Sequence, residues 1–202
     1  MGMDAKEFMI KFKRATDKER IIGGRRLFDI YLNDKDYTPV ITKIIREIIE
    51  TDELTSQTEY FRIDVVGWKS YYEEMEDDAE IQNIKINPHL WDLKIAVEHE
   101  NNKKDWSDEL IKLIHIKCPL KVVIGYTHSD EREKGERNKL DFMSKWMQRV
   151  EALKKGTDEE YLVILGNGCN SKTKKSDYTD FDYRGYVYNF QTRRFEELFE
   201  KE

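Results

Sequence analysis

Two short apolar runs in the chain carry acidic residues whose spacing suits a divalent-cation site. Asp64 lies within residues 62–66, and Glu98 and Glu100 lie within residues 95–100. Both runs are typical of β-strands. Because successive side chains of a strand point to opposite faces, we expect Glu98 and Glu100 to share a face. An Asp on one strand and an acidic pair on its neighbour predict a Mg²⁺ site that cuts phosphodiester bonds.

The chemistry explains why these residue types matter. Phosphodiester cleavage needs a hydroxide in line with the leaving oxygen, and cations beside the developing negative charge. Carboxylates hold Mg²⁺ while leaving several of its water ligands in place, so one water can become the nucleophile. Asp64 and Glu98 would bind the metal, and Glu100 would bind it or accept a proton. The alternative for these acids is a solvated sheet face, where Arg62 and Lys94 balance their charge.

The composition indicates one globular domain, spanning residues 1–202, with enough apolar chain for a core. Of the 202 residues, 39% are hydrophobic and 12% aromatic. The net charge of −6 argues against a protein that binds nucleic acid by charge alone, but less against a nuclease with an acidic, metal-neutralised site. No apolar run approaches the roughly 20 residues of a membrane helix, and no signal-like segment opens the chain. We therefore expect no membrane association and a cytoplasmic location, with Cys118 and Cys169 reduced.

The periodicity of the chain predicts the elements that must position the acids. Apolar residues at helical spacing predict helices over residues 5–22, from residue 27, over 38–50, over 105–117 and over 131–155. Thr38 would cap the third helix, with Pro39 in its first turn. Apolar or alternating runs predict strands over residues 58–68, 81–86, 91–99, 120–126, 161–165 and 185–190, with a closing helix over 194–202.

The order of these elements predicts the fold class. The strand over 120–126 is almost wholly apolar, which is typical of a strand buried on both faces. It follows the strand 91–99 and a helix, so the three should form a parallel βαβ crossover. The segment 185–190 is expected to pair with the strand before it. Together the elements predict an α/β fold with a mixed central β-sheet flanked by helices.

This order, with Asp64 preceding Glu98 and Glu100, resembles the core of the PD-(D/E)xK nuclease superfamily, which includes many restriction endonucleases. The resemblance covers about residues 39–126, and residues 127–202 would form a C-terminal α/β elaboration. It implies a restriction-endonuclease-like core and an endonuclease that hydrolyses phosphodiester bonds with Mg²⁺ or Mn²⁺. The implied substrate is double-stranded DNA, and the implied metal ligands are Asp64 and Glu98.

The sequence departs from the superfamily pattern at three places. Ile63 rather than proline precedes Asp64. The long stretch between the two acidic runs needs an inserted hairpin near residues 71–88. Glu100 occupies the position of the motif lysine, so Lys104 or Lys112 would have to supply the positive charge. Glu47, on the preceding helix, resembles the additional metal-binding acid of some members.

Two other functions remain open on the same residues. The missing motif lysine and the acidic balance favour a catalytically inactive nuclease-like fold that acts as a protein-interaction module. An RNA-directed nuclease on the same scaffold is the other alternative. Cutting both strands of a duplex commonly needs two active sites, which makes a homodimer the candidate assembly for a DNA endonuclease.

Overall fold

A computed structural model of the chain describes residues 2–17, 20–31, 34–70, 91–101, 106–128, 132–153, 158–169, 176 and 178–199. Within these residues the α-helices are α1 (Ala5–Ala15), α2 (Leu27–Tyr31), α3 (Asp34–Glu50), α4 (Trp106–Ile114) and α5 (Arg132–Met147). A short 3₁₀ helix spans Glu151–Leu153. No helix in this part of the chain is both long and apolar enough to cross a membrane.

The strands form a small ribbon and one large mixed sheet. The ribbon pairs β1 (Ile21–Ile22) with β2 (Arg25–Arg26). The sheet has seven strands, which lie in space in the same order as along the chain. They are β3 (Thr55–Tyr60), β4 (Ile63–Ser70), β5 (Trp91–His99), β6 (Leu120–Thr127), β7 (Glu160–Asn167), β8 (Arg184–Asn189) and β9 (Arg194–Glu197). Strands β5, β6 and β7 are parallel, and the outer pairs are antiparallel.

Helices cover both faces of the sheet, and this confirms the predicted α/β fold with a mixed, helix-flanked sheet. On one face, which we call the α3 face, apolar residues of α1, α2 and α3 pack against Val65, Val97 and Val122. On the other, the α4 face, residues of α4 and α5 pack against Ala96 and Val123. Strand β6 is buried along its whole length because it lies between the two layers.

Two predicted strand pairings are confirmed. Strand β5 has the predicted bounds, and it runs parallel to β6 with Val97 opposite Val122, so β5, α4 and β6 form the expected crossover. Strand β8 pairs antiparallel with β7, as expected for residues 185–190. The predicted strand over 81–86 and the inserted hairpin near 71–88 lie outside the described residues.

The prediction of a single strand over residues 58–68 was wrong. These residues belong to a hairpin, in which β3 and β4 pair antiparallel through a two-residue turn at Phe61 and Arg62. Both turn residues have left-handed backbone angles, with φ of 48° and 66°. Such turns are usually marked in a sequence by Gly, Asn or Asp. Phe-Arg carries no such mark, so the strand pattern continued unbroken through the turn.

Several other element boundaries differ from the predictions, including the ends of α4 at Ile114 and of α5 at Met147, which come before the predicted residues 117 and 155. Helix α1 ends at Ala15, and residues 21–22 turn back at Gly23 and Gly24, whose φ angles of 56° and 80° favour glycine. Helix α3 begins at Asp34, so Pro39 lies inside it rather than in its first turn. Residues 194–197 form β9 instead of a helix, because pairing with the otherwise open edge of β8 satisfies their backbone.

Close packing at Gly125 sets the distance between the sheet and α4. A Cβ added at Gly125 of β6 would lie 2.7 Å from Cβ of Trp106, the first residue of α4. That separation is shorter than a normal van der Waals contact. Helix α4 can therefore approach β6 this closely only because residue 125 is glycine. The later part of this helix carries Lys112.

We predict that Gly125→Ala lowers the free energy of unfolding by about 1–3 kcal/mol, because the added methyl overpacks the contact with Trp106. Urea denaturation followed by circular dichroism would measure this. Gly2→Ala is the matched control, since a Cβ there meets nothing within 4 Å. Equal midpoints for the two variants would contradict the prediction.

Candidate active site

Strand pairing brings together the two acids that lie far apart along the chain. In the antiparallel pair of β4 and β5, Val65 lies opposite Val97 and Val66 opposite Ala96. Extending that register by one residue pairs Asp64 with Glu98. Directly opposed residues share a face, with Cβ atoms about 4.5–5.5 Å apart. The two carboxyls therefore lie side by side on the α4 face, near the carboxyl end of β5.

Asp64 is held in place by the backbone of β5. Its Oδ2 atom accepts a hydrogen bond of 2.7 Å from the backbone N–H of His99. The side chain of Asp64 thus links β4 to the backbone at the end of β5. The result is a carboxylate fixed at one oxygen, with the other left for further contacts.

Lys112 connects α4 to both strands of the site. Its Nζ lies 2.7 Å from Glu98 Oε1 and 2.5 Å from Glu109 Oε2, and it donates a 2.9 Å hydrogen bond to the backbone oxygen of Arg62. Glu98 is only 2% exposed, whereas the side chain of Lys112 is 35% exposed. The Lys112 ammonium therefore pairs with the buried Glu98 carboxyl while its own side chain is partly exposed to solvent.

Burial is the largest influence on the pKa values of the two strand carboxyls, and the neighbouring charges modify it. Burial raises the pKa of Glu98 to about 8, and the negative charges of Asp64 and Glu109 add to the rise while the Lys112 ammonium opposes it. Burial also raises the pKa of Asp64, against the His99 N–H and Lys112. Burial would lower the pKa of Lys112, but Glu109 and Glu98 outweigh this and raise it. Three carboxyls thus share one ammonium.

The ring of His99 lies on the other side of the sheet, as strand alternation predicts. Its Nε2 atom is 3.0 Å from the hydroxyl oxygen of Tyr126. That hydroxyl also hydrogen-bonds with those of Tyr37 and Tyr183, and the latter two are 2.9 Å apart. Burial lowers the pKa of His99 to about 3, so the ring is neutral. It acts as part of the core and fixes the backbone that binds Asp64.

The structure brings Lys112 into the cluster but leaves other predicted site residues elsewhere. Glu47 is not part of it: it lies on α3, on the opposite face, 3.7 Å from Arg20 and 3.9 Å from Lys43. Helix α3 packs against the face of the sheet opposite Glu98, so Glu47 lies away from the acidic cluster. Glu100 is partly buried, one residue beyond the end of β5, and its N–H donates to the Ile124 oxygen. Lys104 lies outside the described residues.

Sequence reasoning missed two acids near the site. Glu109 lies one helical turn before Lys112, and the i, i+3 spacing on a predicted helix could have revealed it. Glu59 is placed opposite Asp64 by the β3–β4 register, between the pairs Thr58–Val65 and Tyr60–Ile63. Its negative charge raises the pKa of Asp64. Finding Glu59 required the hairpin turn, which the sequence did not mark.

A cation bound beside Asp64 and Glu98 would have few protein ligands. Among the described residues, no group of three or more His, Cys, Asp or Glu side chains is arranged to hold a metal ion. A cation at this site would thus rest on Asp64 and Glu98, with water completing its shell. Mg²⁺ is commonly bound in this way, through one or two carboxylates.

We predict that stability falls with rising pH through ionisation of Glu98. Its pKa is about 8 in the folded protein and 4.5 ordinarily, so between these values the folded state holds more protons than the unfolded state. The unfolding free energy should then drop by at most about 1.4 kcal/mol per pH unit. Urea denaturation in EDTA from pH 5 to 8 should show a shallower slope for Glu98→Gln. Parallel slopes for this variant and the wild type would refute the assignment, and Glu47→Gln should behave as the wild type.

In comparisons with known proteins, no protein-family model matches the chain, and no curated protein matches it. The resemblance to PD-(D/E)xK nucleases therefore rests on the residues and their arrangement alone.

Proposed function

We propose that the chain is a divalent-cation-dependent endonuclease that hydrolyses phosphodiester bonds in DNA, using Mg²⁺ or Mn²⁺. The observation that carries this proposal is the pairing of Asp64 with Glu98 on adjacent strands, beside the ammonium of Lys112. A chain that needed these acids only for solubility would place them at the surface. Instead Glu98 is buried, where an unneutralised carboxylate is costly.

Each side chain of the cluster has a role in this proposal. Asp64 and Glu98 would hold the cation, which supplies an activated water and offsets charge on the phosphate. Glu100, just past β5, stands at the motif-lysine position and would bind the cation or accept a proton. Lys112 supplies the positive charge that this position lacks, and it would stabilise charge on the scissile phosphate. Glu109 holds the Lys112 ammonium in place.

The electrostatics of the cluster favour cation binding. At neutral pH Glu98 retains a proton, because burial raises its pKa to about 8, and the negative charges of Asp64 and Glu109 add to the rise while Lys112 opposes it. A bound divalent cation would replace that proton and supply the missing positive charge. The buried, unpaired thiols of Cys118 and Cys169 fit the expected reducing cytoplasm. A homodimer would supply the two sites needed to cut a duplex.

We predict that Glu98→Gln and Asp64→Asn each reduce cleavage by about a hundredfold or more, because each removes a charged cation ligand of nearly unchanged shape. The assay would compare duplex DNA, single-stranded DNA and RNA of one sequence with Mg²⁺ and Mn²⁺. Glu47→Gln is the matched control, since this carboxylate lies on the opposite face.

The outcomes separate the three functions. DNA cleavage that requires both acids supports the proposal, and preference for RNA indicates the RNA-directed alternative. Calorimetry with Mn²⁺ tests the inactive-module alternative. An inactive module should show no Mn²⁺ binding that the Glu98→Gln substitution abolishes. Full cleavage by a folded Glu98→Gln variant would eliminate the proposed site.

We predict that Lys112→Met separates cation binding from catalysis. Removing the ammonium should leave Mn²⁺ affinity unchanged or higher, because a competing positive charge is gone, while kcat falls by about 10²–10³-fold. Calorimetry and single-turnover cleavage would measure the two effects. Lys43→Met, at an exposed lysine on α3, is the control. Equal loss of cation affinity and of kcat would assign Lys112 a purely structural role.

A further inference from the structure

The turn of the β3–β4 hairpin exposes an aromatic side chain to solvent. Phe61 is 80% exposed, more than Phe142 (63%) or Ile21 (60%), the other large exposed hydrophobic residues of the described chain. Its ring meets Tyr60 edge-on, with ring centroids 4.7 Å apart. An exposed Phe ring does not stabilise the core, so it is available to pack against a binding partner.

The same turn is strained. Glu59, Phe61 and Arg62 all have left-handed φ angles, of 56°, 48° and 66°. A two-residue hairpin turn of this kind favours Asn-Gly or Asp-Gly. A residue with a side chain is strained in the left-handed region, which favours glycine. The chain therefore keeps an exposed aromatic and a cation at two positions where smaller residues would stabilise the fold.

The hairpin tip, residues 59–62, adjoins the acidic cluster. Lys112, which contacts Glu98, also donates a hydrogen bond to the backbone oxygen of Arg62. Phe61 lies three residues from Asp64, a span of at most about 11 Å of chain. A DNA strand rises about 3.4 Å per nucleotide. A nucleic acid whose phosphate lay at the cluster would therefore pass the tip within about three nucleotides.

We propose that the hairpin tip is a nucleic-acid contact, in which Phe61 stacks on an unpaired base and Arg62 contacts a neighbouring phosphate. This deepens the proposed function and rests on it for the position of the scissile phosphate. Stacking on an aromatic side chain strengthens binding by about 5- to 150-fold per base and tolerates any sequence. The guanidinium supplies the charge-assisted phosphate contact that a protein of net charge −6 must provide locally.

The test measures binding without cleavage. Fluorescein-labelled single-stranded DNA, RNA and a duplex with an unpaired base would be titrated with protein in EDTA, and anisotropy recorded. Phe61→Ala should weaken binding about fivefold or more, whereas Phe61→Trp should keep the affinity and show quenching of its new indole on binding. Phe142→Ala, at an exposed aromatic on α5, should bind as the wild type.

A double variant tests whether the tip trades stability for binding. Phe61→Asn together with Arg62→Gly supplies the favoured turn, so it should raise the midpoint of thermal unfolding while weakening binding at least as much as Phe61→Ala. A stabilised protein that has lost affinity excludes misfolding as the cause of the loss.

The outcomes distinguish this inference from the nuclease proposal. Binding that depends on Phe61 in a protein that never cleaves would sustain the tip contact and reject the nuclease. Cleavage with unchanged KM and unchanged DNA affinity in Phe61→Ala would support the nuclease proposal and reject the tip contact. Absence of binding to all three nucleic acids would overturn the tip contact.

Discussion

The register between β4 and β5 is the constraint on which the candidate site depends. Side chains alternate along a strand, so a slip of one residue would carry one of the two carboxyls to the opposite face. The core fixes the register, because Val65 and Val97 are buried on the α3 face. Ala96, on the α4 face, is small enough to leave room beside Glu98. Hydrophobic packing thus determines the spacing of the polar groups.

A second buried carboxyl, that of Glu136, has hydrogen-bond donors for both of its oxygens. Glu136 accepts two hydrogen bonds from Arg184, of 3.0 and 2.8 Å, one from Thr127 and one from Tyr186. Such a group is well satisfied and serves the architecture. Within the part of the chain that the structure describes, the ion-pair partner of Glu98 is Lys112, which also contacts Glu109. The contrast between the two sites supports the proposal that Glu98 binds a cation.

Much of the fold and part of the site could be predicted from the sequence. Strand β5, the crossover to β6 and the grouping of Asp64 with Glu98 follow from period-two alternation and from element order. The hairpin at Phe61 could not be predicted, because its residues lack the turn chemistry that usually marks a left-handed backbone. The error merged β3 with β4 and thereby hid Glu59.

Tertiary contacts explain the remaining differences. Lys112 lies off the apolar stripe of α4, so the sequence allowed a surface position as readily as a partner for Glu98. The contact of Lys112 with Glu98 depends on the packing of α4 against β5. Glu47 was predicted to bind metal from its place on the helix before the motif, but it lies on the other face of the sheet. The face against which α3 packs depends on tertiary contacts that no local sequence pattern encodes.

The hydroxyl cluster of Tyr37, Tyr126 and Tyr183 joins distant parts of the polypeptide behind the candidate site. Tyr37 comes from α3, Tyr126 from β6, and Tyr183 from the segment that leads into β8. The region beyond residue 126 is therefore no dispensable appendage, since without Tyr183 and the strands beside it two phenols would lose a polar partner and β6 would lose its cover.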